Sequence, residues 1–432
     1  MNKKKYVNRN YLTTTRIIAL GFLITVIVGT ILLSLPIASA NGTWTDLLTA
    51  AFTSTTSVCV TGLVVVDTFS YWSLFGKGVI LILIQIGGLG IVSIITLFML
   101  LFRMKITLKS TMLLQDAFNL NSKQGLLKFT IKVIKGTFLI EGIGAFIYSF
   151  YYCREYGLLK GIWFSVFHAV SAFCNAGLDI MGADSLIPYH SNLLMMLNTS
   201  FLIIMGGIGF IVWWDTVEAF RRIRTKKCSI RSAWNGVHLQ TKIAIFMTLL
   251  LLIGGTVVIY FLERSNPDTL GNLSEKDRIL NAFFQSVTLR TAGFAAVPQA
   301  ALRPVTAFFG ALLMMIGGSP VGTAGGMKTV TIAVIFFTFA AMIRNHEDTE
   351  VFKRNIPVSV VKKAVAIVFL SMSTIFIMTI LLMATNDVNL LDALFEVASA
   401  VCTVGLSRNL TPVLNTAGPV SYTHLRAHET LS

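Results

Sequence analysis

The sequence predicts an all-α polytopic membrane protein. Four span–pore-loop–span units stand in a pseudo-four-fold arrangement around one pore, with the last span missing. Three observations carry this. The chain is 54% hydrophobic but only 13% charged, about half the charge of an ordinary soluble domain. One short motif recurs four times, as FTSTTSVCVTGL, FHAVSAFCNAGL, FFQSVTLRTAGF and FEVASAVCTVGL. The copies align on Gly62, Gly177, Gly293 and Gly405, each with a phenylalanine ten residues earlier: Phe52, Phe167, Phe283 and Phe395. A register repeated that firmly marks a repeat architecture. A short helix ending in a glycine hook, four times in an apolar chain, suggests pore lining.

Unit 1 covers 1–102. Its first span runs over about 14–35 and ends at Pro36. Asp46, sixteen residues before the glycine, suits a helix N-cap. The segment 46–57 is too short and polar to cross, so it reads as a re-entrant helix. A long apolar helix over about 71–102 follows. Unit 2 covers 103–222, with spans at about 129–152 and 192–220 and a short helix at 161–171 starting from Gly161. Unit 3 covers 223–343, with spans at about 237–262 and 303–343 and a short helix from Asp277 to residue 287. Unit 4 covers 344–416, with a span at about 358–384 and a short helix from Asn389 to residue 400. No closing span follows it. The tail 417–432 is polar and resembles translated linker sequence, so unit 4 reads as incomplete.

Charge sets the expected orientation. The stretches 1–16, 103–135, 221–242 and 344–363 hold 24 of the 35 Lys and Arg residues. All four fall on one side under this span assignment. By the positive-inside rule that side is the cytoplasm, and the N-terminus lies there. The net charge of +15 is therefore read as topology, not as a nucleic-acid footprint. No cleavable signal peptide is apparent.

The hook carries the chemistry. A cation entering a bilayer exchanges its water shell for other oxygens, and backbone carbonyls supply these without fixed charge. Carbonyls can face one axis only if the chain is unusually turned, which glycine permits. The half-helix before each hook aims its negative end at the ion. Irregular backbone at membrane depth is tolerated where it lines such a cavity.

A second unusual stretch is 316–327, IGGSPVGTAGGM, with five glycines and Pro320. No helix runs straight through such a sequence. The matching glycine clusters, Gly87, Gly88 and Gly90, then Gly206, Gly207 and Gly209, are expected to stay helical, with only the third span opened into a loop.

Other groups are weighed in turn. Cys59, Cys174 and Cys402 stand three residues before a repeat glycine, so they are expected apart around the axis as buried small hydrophobes. Arg290 takes that place in the third copy. Its head is expected behind the filter, on carbonyls or on Glu396, Asp392 or Glu141. His168 reads as a hydrogen-bonded core residue. Enzymatic motifs are missing: His346-Glu347-Asp348 lacks the second His of a zinc protease, and no phosphate loop or nucleophile elbow is present. An intramembrane enzyme would need paired polar groups at depth, and Glu141 has no evident partner.

VCVTGL, FCNAGLDIMGADS, SVTLRTAGF, VCTVGLS and GGSPVGTAGGMKT together resemble the Trk/Ktr/HKT superfamily of potassium transporters over about 10–416, most nearly the bacterial Ktr-type membrane subunit. The resemblance implies a selectivity filter of Val60, Thr61 and Gly62, Asn175, Ala176 and Gly177, Thr291, Ala292 and Gly293, and Thr403, Val404 and Gly405. Four filter glycines imply K+ as the transported ion. The resemblance leaves Na+ open as an activator and implies no nucleotide bound by this chain itself. It implies a gate under the filter made of Gly317, Gly318, Ser319, Pro320, Gly322, Thr323, Gly325 and Gly326, with Lys328 beside it and Arg290 supporting the filter. It further implies a homodimer in the bacterial plasma membrane on a cytosolic nucleotide-binding regulatory ring of the KtrA type.

Overall fold

The computed structural model describes residues 14–90, 93–94, 96, 126–182, 184–226, 228–346, 348–352 and 354–411. The expected tail and most of the basic connection 103–127 lie outside the described residues.

Each unit opens with a long apolar helix. These are α1 (Thr14–Ser34), α5 (Leu126–Tyr156), α10 (Leu239–Glu263) and α14 (Val358–Thr385). Among the described residues, these four are long and apolar enough to cross a membrane singly. Their outward faces expose large apolar side chains such as Leu23, Ile31, Phe369 and Phe376, as lipid-facing helices require.

A short helix follows each span: α2 (Leu47–Val58), α6 (Leu158–Phe173), α11 (Glu275–Thr288) and α15 (Leu390–Val401). Asp46 caps α2 by accepting from the Leu48 and Thr49 amides at 3.1 and 3.3 Å. Asn389 caps α15 by accepting from the Asp392 amide at 2.9 Å. Both satisfy amides that a helix start leaves unpaired. The other two starts differ from the sequence reading. In α11 the cap is Ser274, which accepts from the Asp277 amide at 3.3 Å, so the helix begins a turn before the aligned position. In α6 Gly157 takes the cap position with no side-chain bond. Gly161 lies inside that helix, where its missing side chain admits the Cys153 backbone of α5.

The second helices are α4 (Leu74–Leu89), α7 (Leu193–Gly207) continued by α8 (Phe210–Lys226), and α12 (Pro304–Met315) continued by α13 (Thr329–Ile343). Two small helices, α3 (Thr68–Tyr71) and α9 (Ile230–Asn235), lie in connections. The expectation of unbroken glycine clusters in the first two units is corrected. Helix α4 stops at Gly90, whose φ is +79°, and α7 meets α8 at 96° through Gly209, whose φ is +95°. The physical reason is close approach. Gly87 packs on the Val58 carbonyl and Gly206 on the Phe173 carbonyl, each the last residue of a half-helix. A β-carbon at either glycine would collide with that oxygen, so the second helix can reach the half-helix end only through glycine. All three second spans are therefore interrupted, and the third most widely.

A two-stranded ribbon, β1 (Glu350–Val351) and β2 (Arg354–Asn355), is the one sheet among the described residues. The core divides by units. One apolar cluster joins units 1 and 2 and takes in Phe284, Val287 and Phe294 of unit 3. A second joins units 3 and 4 around Met314, Phe395 and Val404. The four hooks lie where these clusters meet.

Candidate functional site

All four hooks share one backbone course. The residue two before each repeat glycine has positive φ: Val60 at +55°, Asn175 at +57°, Thr291 at +65° and Thr403 at +56°. The glycines follow at +88°, +65°, +82° and +90°. In three copies the helix end is a Schellman motif. Thr61 N donates to Thr56 O at 2.8 Å, Ala176 N to Ser171 O at 2.8 Å, and Val404 N to Ser399 O at 2.8 Å. The third copy is tighter by one residue, with Ala292 N donating to Thr288 O at 3.0 Å. A β-branched residue with left-handed φ is a genuine outlier. Each such residue costs about 1–3 kcal/mol and persists only where its surroundings over-determine it.

The surroundings here are the other hooks. A β-carbon built on Gly62 would lie 2.5 Å from the Ala176 carbonyl oxygen; on Gly177, 2.8 Å from that of Ala292. On Gly293 it would lie 2.5 Å from the Val404 oxygen, and on Gly405, 2.6 Å from the Thr61 oxygen. Each glycine thus leans on the carbonyl before the glycine of the next hook. The sequence 1→2→3→4→1 closes a ring. Only a residue without a side chain fits at those four places.

Hydroxyls brace the limbs leaving the ring. Thr288 Oγ1 donates to Phe294 O at 2.7 Å, Ser171 Oγ donates to Leu178 O, and Ser399 Oγ accepts from Gly405 N at 3.1 Å. His168, buried in α6, has Nδ1 2.8 Å from Phe164 O and accepts at Nε2 from Ile180 N at 3.4 Å. His168 is thus the hydrogen-bonded core residue the sequence reading expected, whereas the bracing hydroxyls escaped that reading. The recurrence of Ser or Thr five or six residues before each glycine was the available signal.

The stretch 316–327 is an open loop under the hooks. It is pinned at its base by Gly317 N to Met327 O at 3.0 Å and Met327 N to Met315 O at 3.1 Å. Ser319 N and Thr323 N donate to the Gly207 and Gly206 carbonyls at 2.8 and 3.1 Å. The Thr323 hydroxyl lies 3.0 Å from both Phe173 O and Asn175 Oδ1. Gly325 N donates to Thr291 Oγ1 at 3.1 Å, and the Gly325 α-carbon packs on the Thr403 hydroxyl. Gly322 fits against the Gly206 and Gly207 carbonyls, and Pro320 O sits beside Gly209. Lys328 Nζ donates back to Ala324 O at 2.7 Å. The loop therefore touches the second, third and fourth hooks.

Arg290 is 7% exposed, and its Nη2 donates to Gly317 O at 3.3 Å. The three acids considered as partners are engaged elsewhere. Glu141 accepts from Gln85 Nε2 at 3.1 Å, Asp392 pairs with Arg408 at 2.6 Å, and Glu396 accepts from Ser407 at 2.8 Å and from Thr411. None of the five cysteines forms a disulfide; Cys174 and Cys402 are buried and Cys59 partly so.

Long apolar helices, each followed by a short helix that ends in one of four interlocking hooks, mark a multi-pass helical membrane protein. The chain matches the family model described as TrkH, cation transport protein, over residues 3–419, and it belongs to that family. The family is one of cation transporters, not of enzymes. It is 37% identical to the potassium/sodium uptake protein NtpJ of Enterococcus hirae, over 95% of this chain and 89% of that one. It is also 37% identical to the Ktr system potassium uptake protein B of Bacillus subtilis, over 97% of this chain and 91% of that one. The crystal structure of the potassium transporter TrkH from Vibrio parahaemolyticus shares the fold, with TM-score 0.71 and 16% identity over 100% of this chain and 85% of that one.

Proposed function

We propose that this chain is the potassium-translocating membrane subunit of a Ktr-type uptake system. The observation that carries the reading is the ring in which each hook glycine abuts the next hook's carbonyl: Thr61, Ala176, Ala292 and Val404. Carbonyls contributed by all four hooks, each just past the negative end of a half-helix, replace part of a cation's hydration shell. Val60 to Gly62, Asn175 to Gly177, Thr291 to Gly293 and Thr403 to Gly405 form the filter. The loop from Gly317 to Gly326 is the gate, and Arg290 holds filter to gate through the Gly317 carbonyl. The names of the two curated relatives favour potassium, and that of NtpJ favours a response to sodium as well.

The word "system" in the name of the Bacillus relative favours further components. We infer a homodimer on a cytosolic nucleotide-binding ring, in a bacterial plasma membrane with the N-terminus inside, as the basic connections favour. The test is growth of a potassium-uptake-deficient bacterium at low potassium. Expression of this chain with such a ring is expected to restore growth, and failure of correctly inserted protein to do so contradicts the reading.

A further inference from the structure

The first turns of α5 carry a basic stripe that the ring and the loop do not use. Lys128, Lys132 and Lys135 stand at i, i+4 and i+7, so they share one side of the helix over about 10 Å. All three are exposed. The far side of the same turns is buried, at Thr130, Val133, Ile134 and Thr137.

Helix length places the stripe. With 31 residues, α5 is about 46 Å long, and the hydrocarbon core of a bilayer is about 30 Å thick. From Gly136 to Cys153 its only charged residue is Glu141, which is buried. That stretch is the part that crosses, so the lysines stand at headgroup level.

Beside them lies α8. It leaves α7 at 96°, and with α7 upright it runs along the membrane surface. The two helices meet at Gly136, where a β-carbon would lie 3.2 Å from Trp213 Cζ3 and 3.7 Å from Trp214 Cζ2. Lys132 Nζ stands 5.3 Å from the centre of the Trp214 ring. The ring attracts the ammonium and orients it without neutralising its charge. On the next two turns of α8, Val217 and Phe220 are exposed. An upright basic stripe and a flat helix with an apolar edge thus make a corner.

Among the described residues no carboxylate pairs with the three lysines. The two acids of α8 are engaged elsewhere, Asp215 with His238 at 2.9 Å and Glu218 with Arg222 at 3.4 Å. A zwitterionic headgroup brings no net charge to this corner. A soluble anion meets the lysines but leaves Val217 and Phe220 bare. An anionic phospholipid does both, and basic residues beside a span attract such lipids.

We propose that this corner binds an anionic phospholipid, its phosphate on Lys128, Lys132 and Lys135 and an acyl chain against Val217 and Phe220. The lipid steadies a helix that the loop 316–327 rests on: Gly209 lies beside the Pro320 carbonyl, and Phe210 N donates to Val321 O at 2.9 Å. The inference depends on charge and shape at the corner and not on which ion the chain moves.

The test uses the full chain in nanodiscs of phosphatidylcholine with a rising fraction of phosphatidylglycerol. The unfolding temperature is expected to rise with that fraction and saturate. Lys132→Gln is expected to raise the half-saturating fraction about fivefold. Lys362→Gln removes the same charge from the exposed start of α14, in another unit, and is expected to leave the fraction unchanged. Native mass spectra of the unaltered chain, released from mixed nanodiscs, give a second readout that needs no variant. Retention of phosphatidylglycerol over phosphatidylcholine is expected. Equal unfolding temperatures across the lipid series overturn the proposal and leave the lysines to an acidic protein partner. So does folded Lys132→Gln that responds as Lys362→Gln does, which marks a diffuse surface attraction. So does equal retention of the two lipids.

Discussion

The hydroxyl of Thr323 lies 3.0 Å from Asn175 Oδ1, joining the loop beneath the ring to the second hook. Gly325 N makes a second junction with Thr291 Oγ1 at 3.1 Å. The loop is latched to two hooks by side chains that a single substitution removes.

Thr323→Val is expected to unlatch the loop and raise ion flux. A buried hydrogen bond contributes about 1 kcal/mol net, so the open population rises about fivefold. Rubidium influx into proteoliposomes, normalised to folded protein, measures this. Deleting 319–325 is expected to raise influx further. Lower influx from either protein at normal folded yield would show the loop to be a brace and not a gate.

Gly62→Ser is expected to weaken the preference for potassium over sodium. The new β-carbon would fall 2.5 Å from the Ala176 oxygen and displace a carbonyl at the ring. Paired rubidium and sodium uptake ratios decide it. An unchanged ratio removes Gly62 from the filter.

Thr288→Val is expected to destabilise the third hook without touching the pathway. It leaves the Phe294 carbonyl unpaired, at a cost of about 1–3 kcal/mol. A lower unfolding temperature with the ion preference retained is the expected result. A changed preference at full stability would place Thr288 in the filter itself.

Asp179 sets a pH dependence outside the spans. Burial pushes its carboxyl up to about 6, against hydrogen bonds from Ser185 and the Met181 amide that favour the charged form. The folded state therefore holds this proton more tightly than the unfolded chain. Its contribution to stability is complete near pH 4 and is lost as pH rises through about 6. Asp179→Asn is expected to flatten the fall in unfolding temperature across that window. An identical pH profile in the variant would assign the dependence to another group.

Much of the architecture was legible because glycine at a close contact admits no substitute. Gly62, Gly177, Gly293 and Gly405 gave the register, and the register gave four units. The phenylalanines ten residues earlier mark the helix side that packs inward; Phe52, Phe167 and Phe395 are buried. The left-handed turns at Val60, Thr291 and Thr403 were not legible, since β-branched residues avoid that region in isolation. Only contact with the neighbouring hooks holds them there, and that contact is tertiary. The breaks at Gly90 and Gly209 were hidden for the opposite reason. Glycine in an apolar run is compatible with simple helix packing, and the half-helix end that forces the break lies far away in sequence. The start of α11 slipped by one turn because Ser274 and Asp277 both suit a helix N-terminus.

The ring has a temporal consequence. Its last contact, Gly405 against Thr61, joins residues from the first and fourth units of one chain. During synthesis the earlier hooks emerge long before their final neighbour exists. Domains generally form in order from the N-terminus as the chain is made, yet this one cannot close until its fourth copy has entered the bilayer. Until then the turns at Val60 and Thr291 lack part of the support that holds them. A newborn chain therefore holds its first and third hooks in their native turns only once the last unit is in place.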